Sequence, residues 1–430
     1  MPINDLPPEL LIAVFKMLSA TWLPVRAGQP HPSEPFTMSR PNGYTGEVSK
    51  KSQLGWLNVY SVCTEWRRHA FSPQVIQSTL LPAMDEAHVE PRLSALERCG
   101  SAVDLIHRSQ GGNSCAEQLC VERTRARLRT YINHCAPVIE LSGVFPKLET
   151  LCLPDTHSLS SPDGLRCPEL LTLVTFADLS SLSPALLQTA ASFTKLVTLV
   201  LASDEEPLAN SPAPLASDRR YCPSFPSLQQ LVVHGSSVGP LEVARYITVP
   251  NACDISIVCQ IRTIQAADAL VISDAYTACG LSDTTTSVAV LVDDDFTRPR
   301  SSIERGGVQI LLEPDAWGHA KTITIRARTH NQNVQLVLSV GQMAPWPDSP
   351  SPCRSIGRVL SSATARCQQV SVGGTWSGAD PLHAFWPTEC PAVTTVRVER
   401  GSSWLVLVQS LVERGHFPSL ERAIVQVDCL

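Results

Sequence analysis

The stretch Phe145-Pro146-Lys147-Leu148-Glu149-Thr150-Leu151-Cys152-Leu153 decides the fold, because it returns along the chain in recognisable form. Cys167-Pro168-Glu169-Leu170-Leu171-Thr172-Leu173, Phe193-Thr194-Lys195-Leu196-Val197-Thr198-Leu199-Val200-Leu201 and Phe225-Pro226-Ser227-Leu228-Gln229-Gln230-Leu231-Val232-Val233 keep the same order. An aromatic residue or Cys comes first, often Pro next, then L-x-x-L-x-L. The first leucines of these four copies stand 22, 26 and 32 residues apart. Looser copies stand at Ala252/Ile255/Ile257, Ala267/Leu270/Ile272, Ala320/Ile323/Ile325 and Val393/Val396/Val398. Phe417-Pro418-Ser419-Leu420-Glu421-Arg422-Ala423-Ile424-Val425 restores the opening.

Each copy alternates as a short strand does, with every second residue turned inward. Between copies lie helical candidates at 184–193, 241–246 and 405–412, the last with Leu405, Val408, Leu411 and Val412 on one face. A strand and then a helix every 20–30 residues or so is the signature of a leucine-rich solenoid. One repeat cannot bury its own apolar face, so neighbours must stack into a curved sheet. The uneven period predicts an uneven arc.

The N-terminal block is different. Pro7 and Pro8 suit a first helical turn, where a missing N–H costs nothing. Asp5 and Glu9 place negative charge at the positive end of the helix dipole. From Leu10 to Leu18 only Ala13 and Lys16 are not bulky and apolar, so the helix is apolar nearly all round and must be covered on more than one side. The segment 19–54 holds five prolines and little periodicity, and reads as a long disordered insert. A second helical stretch has Trp56, Val59, Cys63 and Trp66 at spacings of three and four, with Pro73 ending it. Two short helices cannot bury that much surface between themselves. At ~1.5–3 kcal/mol per large side chain, the remainder asks for a partner chain.

Composition narrows the function classes. The 430 residues suit two or three domains, and 43% hydrophobic residues supply a core. A formal charge of −6 argues against a nucleic-acid binder driven by global charge. No apolar run approaches the ~20 residues of a membrane helix; the longest, at 10–15 and 334–340, fit buried elements. The N-terminus has no basic region followed by a long apolar one, so no export signal is read. Fifteen cysteines, without a CxxC pair, sit singly among apolar residues, as at Cys152 and Cys259. They read as reduced core residues of a cytoplasmic or nuclear protein.

The N-terminal block resembles an F-box. The carrying residues are Leu6-Pro7-Pro8-Glu9-Leu10-Leu11, Val14-Phe15 and Leu18, then Leu54-Gly55-Trp56-Leu57-Asn58-Val59 and Val62-Cys63-Thr64-Glu65-Trp66-Arg67-Arg68-His69-Ala70. It looks most like the F-box proteins of mushroom-forming fungi, in which an insert between the halves and a following leucine-rich region are common. Leu96-Glu97-Arg98-Cys99-Gly100 before Val103-Asp104-Leu105-Ile106 fits their first repeat. The fold class implied is α+β: a small all-helical F-box over 1–75, with the insert at about 19–54, followed by an irregular leucine-rich α/β solenoid over 76–430. The function implied is the substrate receptor of a cullin–RING ubiquitin ligase of the SCF type, with no catalytic residue and no cofactor of its own. Leu6, Pro7, Leu10, Leu11, Val14, Phe15, Leu18, Val62, Cys63, Trp66 and Arg67 would form the face that docks a Skp-type adaptor, and through it a cullin. The solenoid would hold an unknown protein substrate, with no nucleic-acid or membrane partner.

Other motifs each have a sharp reading and a plain one. Trp56 and Trp66 read as interface anchors rather than ordinary core. Gly235-Ser236-Ser237-Val238-Gly239 matches the G-x-S-x-G turn that would make Ser237 the nucleophile of a serine hydrolase, a remote alternative. Pro240 just after it and the lack of an oxyanion segment favour a plain turn between strand and helix. Asp293-Asp294-Asp295 lacks the rest of a calcium loop and reads as a solvated turn after a strand at 288–292. No HExxH or Cys/His cluster suggests a metal. Arg123, Arg125, Arg127 and Arg129 read as the solvated face of a helix that also carries Leu119, Leu128 and Ile132. A leucine-rich scaffold with a degenerate F-box is the nearer alternative.

Overall fold

The structure is a computed structural model that describes residues 6–21, 36–38, 62–70, 80–81, 102–107, 121–133, 141–153, 159, 164–176, 184–202, 223–235, 240, 243, 247–250, 252–261, 287–293, 301–305, 308–312, 321–328, 333–340, 364, 367–373, 389–399 and 402–426. Its helices are α1 (Pro8–Thr21), α2 (Thr64–Ala70), α3 (Pro184–Ala191) and α4 (Ser402–Glu413). Its strands are β1 (Phe36–Met38), β2 (Leu80–Leu81), β3 (Val103–His107), β4 (Leu128–Asn133), β5 (Gly143–Val144), β6 (Thr150–Leu153), β7 (Leu165–Arg166), β8 (Thr172–Phe176), β9 (Thr198–Ala202), β10 (Gln230–Gly235), β11 (Asp254–Ile261), β12 (Ser287–Asp293), β13 (Ser301–Arg305), β14 (Val308–Leu312), β15 (Lys321–Arg328), β16 (Asn333–Val340), β17 (Gln369–Gly373), β18 (Thr395–Glu399) and β19 (Arg422–Gln426). The arrangement is β-solenoid-like with few helices, and the chain divides into two compact units.

Unit 1 comprises Met1–Phe176, Gln188–Leu196 and Arg300–Glu313. Its main ladder runs β2-β3-β4-β6-β8, every described pairing parallel. The register explains the repeat. Leu105, Tyr131, Leu151 and Leu173 form one row, and Thr130, Thr150 and Thr172 the row beside it. Tyr131, Leu151 and Leu173 are fully buried.

One turn recurs ahead of these strands. The Leu148 N–H donates to the Phe145 carbonyl at 3.4 Å, Leu170 to Cys167 at 3.2 Å, Leu196 to Phe193 at 3.0 Å, Leu228 to Phe225 at 3.2 Å, Val393 to Cys390 at 3.2 Å and Leu420 to Phe417 at 3.2 Å. The aromatic or Cys plugs the core, Pro fits the second turn position with its φ preset, and the leucine closes the hydrogen bond. The motif is thus a buried turn that launches a strand. Two expectations change here. Between the copies at Leu148 and Leu170, 22 residues apart, the described part of the chain is strand rather than helix: Leu165–Arg166 (β7) pairs parallel with Gly143–Val144 (β5). The segment read as a disordered insert includes β1, which pairs parallel with β14 of the β13–β14 hairpin, and α1 runs on to Thr21.

Unit 2 comprises Ala177–Leu187, Val197–Pro299 and Pro314–Leu430. Its ladder runs β9-β10-β11-β16-β15-β12-β17-β18-β19. Most pairings are parallel, but β15 is antiparallel to both β12 and β16. The copy read at Ala320/Ile323/Ile325 is therefore one arm of a hairpin rather than a solenoid strand. A strand alternates whichever way it runs, so its apolar spacing cannot report direction. α3 and α4 stand where helices at 184–193 and 405–412 were read. On α4 the buried stripe is Trp404, Leu407, Val408 and Leu411, whereas Leu405, Val406 and Val412 are exposed. Val408 and Leu411 of the expected face are buried and Leu405 and Val412 are not, because 402–413 is apolar enough to carry two overlapping helical stripes. The candidate at 241–246 and the copy at Ala267/Leu270/Ile272 lie mostly or wholly outside the described residues.

Among the described residues no helix is long and apolar enough to cross a membrane.

Candidate partner-docking site

α1 begins as the double proline dictates. Pro8 takes the first helical position, Glu9 lies in the first turn, and the Pro7 carbonyl accepts the N–H groups of Leu10 at 3.0 Å and Leu11 at 3.1 Å. α2 begins on a thiol. Cys63 lies just outside the helix, and its Sγ accepts the Trp66 N–H at 3.4 Å, the geometry of a serine N-cap with sulfur in place of oxygen. The helical reading of 56–66 as one stretch is corrected at this point, since the chain turns at Val62 and the helix starts at Thr64; Trp56 and Val59 lie outside the described residues.

The two helices share a small core. Leu11 and Phe15 are buried, and Leu6, Ile12, Val14, Leu18 and Trp66 pack around them half-buried. The rings of Phe15 and Trp66 meet edge to face, centroids 5.4 Å apart. The Trp66 Nε1 is buried and finds no hydrogen-bond partner among the described residues. His69 is buried too, its Nε2 3.8 Å from a Glu65 oxygen.

The residues read as an adaptor face therefore divide in two. Leu11, Phe15 and Trp66 hold α1 to α2, with Leu6, Val14 and Leu18 half-buried at the margin. Pro7 is exposed just ahead of α1, Leu10 is exposed on it, and Val62 is exposed in the turn before α2; Cys63 is the half-buried cap. Arg67 lies on α2, and its side chain is outside the described set. Two residues belong beside Leu10 that the sequence reading left out of the docking set. Met17, 60% exposed, is seven positions on and falls within about 20° of Leu10 around the axis, and Ala13 lies between them. The i, i+3, i+7 spacing could have found both. α1 thus carries an apolar edge, Leu10–Ala13–Met17, that its own core leaves uncovered.

The arginine run is corrected. Among the described residues of this run only 121–124 is helical, and Leu128 opens β4. Arg123 lies in the helical turn, Arg125 and Arg127 in the turn that follows it, and Arg129 alone of the four in β4. Arg129 grips Asp104 of β3 with two hydrogen bonds, Nε to Oδ1 at 3.1 Å and a terminal nitrogen to Oδ2 at 2.5 Å. That hydrogen bond raises the Arg129 pKa further, against the opposing effect of burial. Arg125 lies over the Phe145 ring at 5.4 Å and 3.1 Å from where a Cβ on Gly143 would stand. Gly143 has φ +88°, so both backbone and space reserve that position for glycine.

Ser237 lies outside the described residues, with Gly235 closing β10. β12 runs one residue beyond each end of the strand read at 288–292, so Asp293 closes the strand instead of opening the turn, and Asp294 and Asp295 are outside the described residues. Among the described residues no group of three or more His, Cys, Asp or Glu could hold a metal. Cys63, Cys152, Cys167, Cys253, Cys259, Cys367 and Cys390 form no disulfide, and all but Cys63 are buried. Burial pushes the thiols of Cys152, Cys167 and Cys253 up to about 12.

No protein-family model matches the chain, and neither a curated protein nor a solved structure matches it.

Proposed function

We propose that the chain is the substrate receptor of an SCF-type ubiquitin ligase, with an F-box in the N-terminal 75 residues and an irregular leucine-rich solenoid beyond it. The observation that carries this reading is the uncovered apolar edge of α1, Leu10–Ala13–Met17, on a helix whose other side is already packed against α2 through Phe15 and Trp66. A helix pair with a closed core and exposed leucine, methionine and valine beside it suits a standing partner. The resemblance of the sequence names that partner as a Skp-type adaptor bound to a cullin. On this reading the chain performs no chemistry, ubiquitin transfer belongs to other subunits, and the compartment is cytoplasm or nucleus.

The test separates docking from folding. Phe15→Ala would damage the helix pair itself, so the informative variant is Leu10→Asp/Met17→Asp, which alters exposed positions only. Wild type should retain the adaptor in a pull-down, and the double variant should lose it with an unchanged melting curve. Folded wild type that retains no adaptor overturns the receptor reading and leaves the leucine-rich scaffold. Loss of adaptor binding with Ser237→Ala would point instead to the turn at 235–239.

A further inference from the structure

Solenoids bind partners on an open face of the sheet, yet along β9, β10 and β11 of unit 2 both faces are covered. All five residues of β9 are buried, as is β10 beyond Gln230, and β11 buries Ile255 and Ile257 on one face and Val258 on the other. The condition reverses at β19. Arg422, Ala423, Ile424 and Val425 are all exposed, so both faces of this strand meet solvent, and Glu421 at its entry is exposed too. Among the described residues β19 is paired with β18 alone.

The pairing fixes which backbone groups the free edge presents. The Arg422 N–H donates to the Thr394 carbonyl at 3.0 Å, and β19 runs parallel to β18 with Arg422 opposite Thr395 and Ile424 opposite Arg397. Backbone groups alternate between the two edges of a strand. Those of Arg422 and Ile424 therefore turn to β18, and those of Ala423 and Val425 turn away from it. The devices that blunt an edge are missing, since 422–426 holds no Pro and no Lys and its register with β18 is unbroken.

We propose that β19 takes up an extended segment of a protein partner as an added strand, one with a basic and an acidic residue beside three apolar ones. Main-chain hydrogen bonds to Ala423 and Val425 would hold it, and cross-strand side chains would select it. The exposed residues dictate the complement. A basic residue suits Glu421, an acidic one suits Arg422, and β-branched residues suit Ala423, Ile424 and Val425. A second copy of the chain complements the edge less well. Antiparallel pairing about a two-fold axis sets Ile424 against itself, but Arg422 then falls opposite Gln426 and neither charge meets its opposite. The register centred on Arg422 opposes like charges. The proposal deepens the receptor reading by giving its substrate a form, and it rests on that reading only for the fate of the captured segment.

The experiment titrates the full chain into two fluorescein-labelled peptides and reads anisotropy. One is Lys-Glu-Val-Ile-Val flanked by Gly-Ser, and the other is its reverse, Val-Ile-Val-Glu-Lys. One of them should bind, and which one gives the direction of the added strand. N-methylation of every second amide of that peptide should abolish binding in one frame and spare it in the other, since only one edge of the segment faces β19. Ala423→Pro removes an outward N–H at a strand edge, where Pro is tolerated, and should abolish binding with an unchanged melting curve. Arg422→Glu should weaken binding about tenfold, and Lys in place of the peptide's Glu should recover it. Leu10→Asp/Met17→Asp should bind the peptide as wild type does, so a failed adaptor assay and a failed peptide assay are separate results. Absence of binding of both peptides, equal losses in the two methylation frames, or full binding by folded Ala423→Pro each overturns the proposal. So does a wild-type dimer that Ala423→Pro splits, because the edge then belongs to a second copy.

Discussion

Phe15 and Leu10 lie on one helix and have opposite duties, and the difference is measurable. Phe15 is fully buried against Trp66, so Phe15→Ala should cost about 3–5 kcal/mol of the stability of the α1–α2 pair, read as a lower urea midpoint. Leu10→Ala, half-exposed, should stay within about 0.5 kcal/mol. Equal losses would mean that Leu10 is part of the core. The cysteines make a second case at this scale. Cys152 sits in register between Ile132 and Val174, wholly buried, and its thiol is pushed up to about 12 from 9. The native state keeps this proton where the unfolded chain gives it up. Stability contributed by the neutral thiol is therefore complete below pH 9 and drains away as pH rises from 9 toward 12, by ~1.4 kcal/mol per pH unit. In urea titrations at pH 8, 9.5 and 10.5, Cys152→Ala should start weaker and lose stability less steeply than wild type. Parallel losses would refute the buried-thiol account. Single thiols among leucines are legible as core in a sequence; the thiol that caps α2 is not, because nothing in Cys63 itself separates a helix interior from its first cap.

At the scale of elements, α4 shows where periodicity stops being informative. Two stripes of apolar residues run along 402–413, and only the packed structure picks Trp404, Leu407, Val408 and Leu411 over the stripe through Leu405 and Val412. Trp404→Ala should cost about 3–5 kcal/mol, and Val406→Ser no more than about 0.5, in the same denaturation assay. A large loss from Val406→Ser would show that something covers the outer stripe. The turn-and-strand motif was legible because each of its positions does its work locally. Phe145 plugs, Pro146 bends, and Leu148 closes a hydrogen bond. The β15–β16 hairpin was not, since direction belongs to pairing and leaves no trace in alternation. The arginine run fell between the two. Of its members only Arg129 stands on a strand, and the partner that fixes it, Asp104, is 25 residues away on another strand. Asp104→Asn should remove about 1 kcal/mol, kept modest because Arg129 is 40% exposed and solvent screens the pair.

For the molecule as a whole, the sequence conveyed the solenoid-like stacking, which follows from repeated periods. It did not convey the division into two compact units, nor the order β11-β16-β15-β12-β17, because non-sequential pairing depends on contacts between distant segments. Stacked repeats draw their stability from neighbours on both sides, so a strand with one neighbour is the weak point. Among the described residues β19 is such a strand, paired only with β18. Its Ile424 and Val425 are 42% and 46% exposed, whereas Val396 and Val398 on β18, held between β17 and β19, are 1% and 3%. Hydrogen exchange should follow this gradient. Amides of Arg422–Gln426 should exchange through local opening well below the global unfolding free energy, and those of Thr395–Glu399 close to it. Equal protection of β18 and β19 in the free protein would mean that the edge is already covered, and that the last strand of the ladder is interior to a larger assembly.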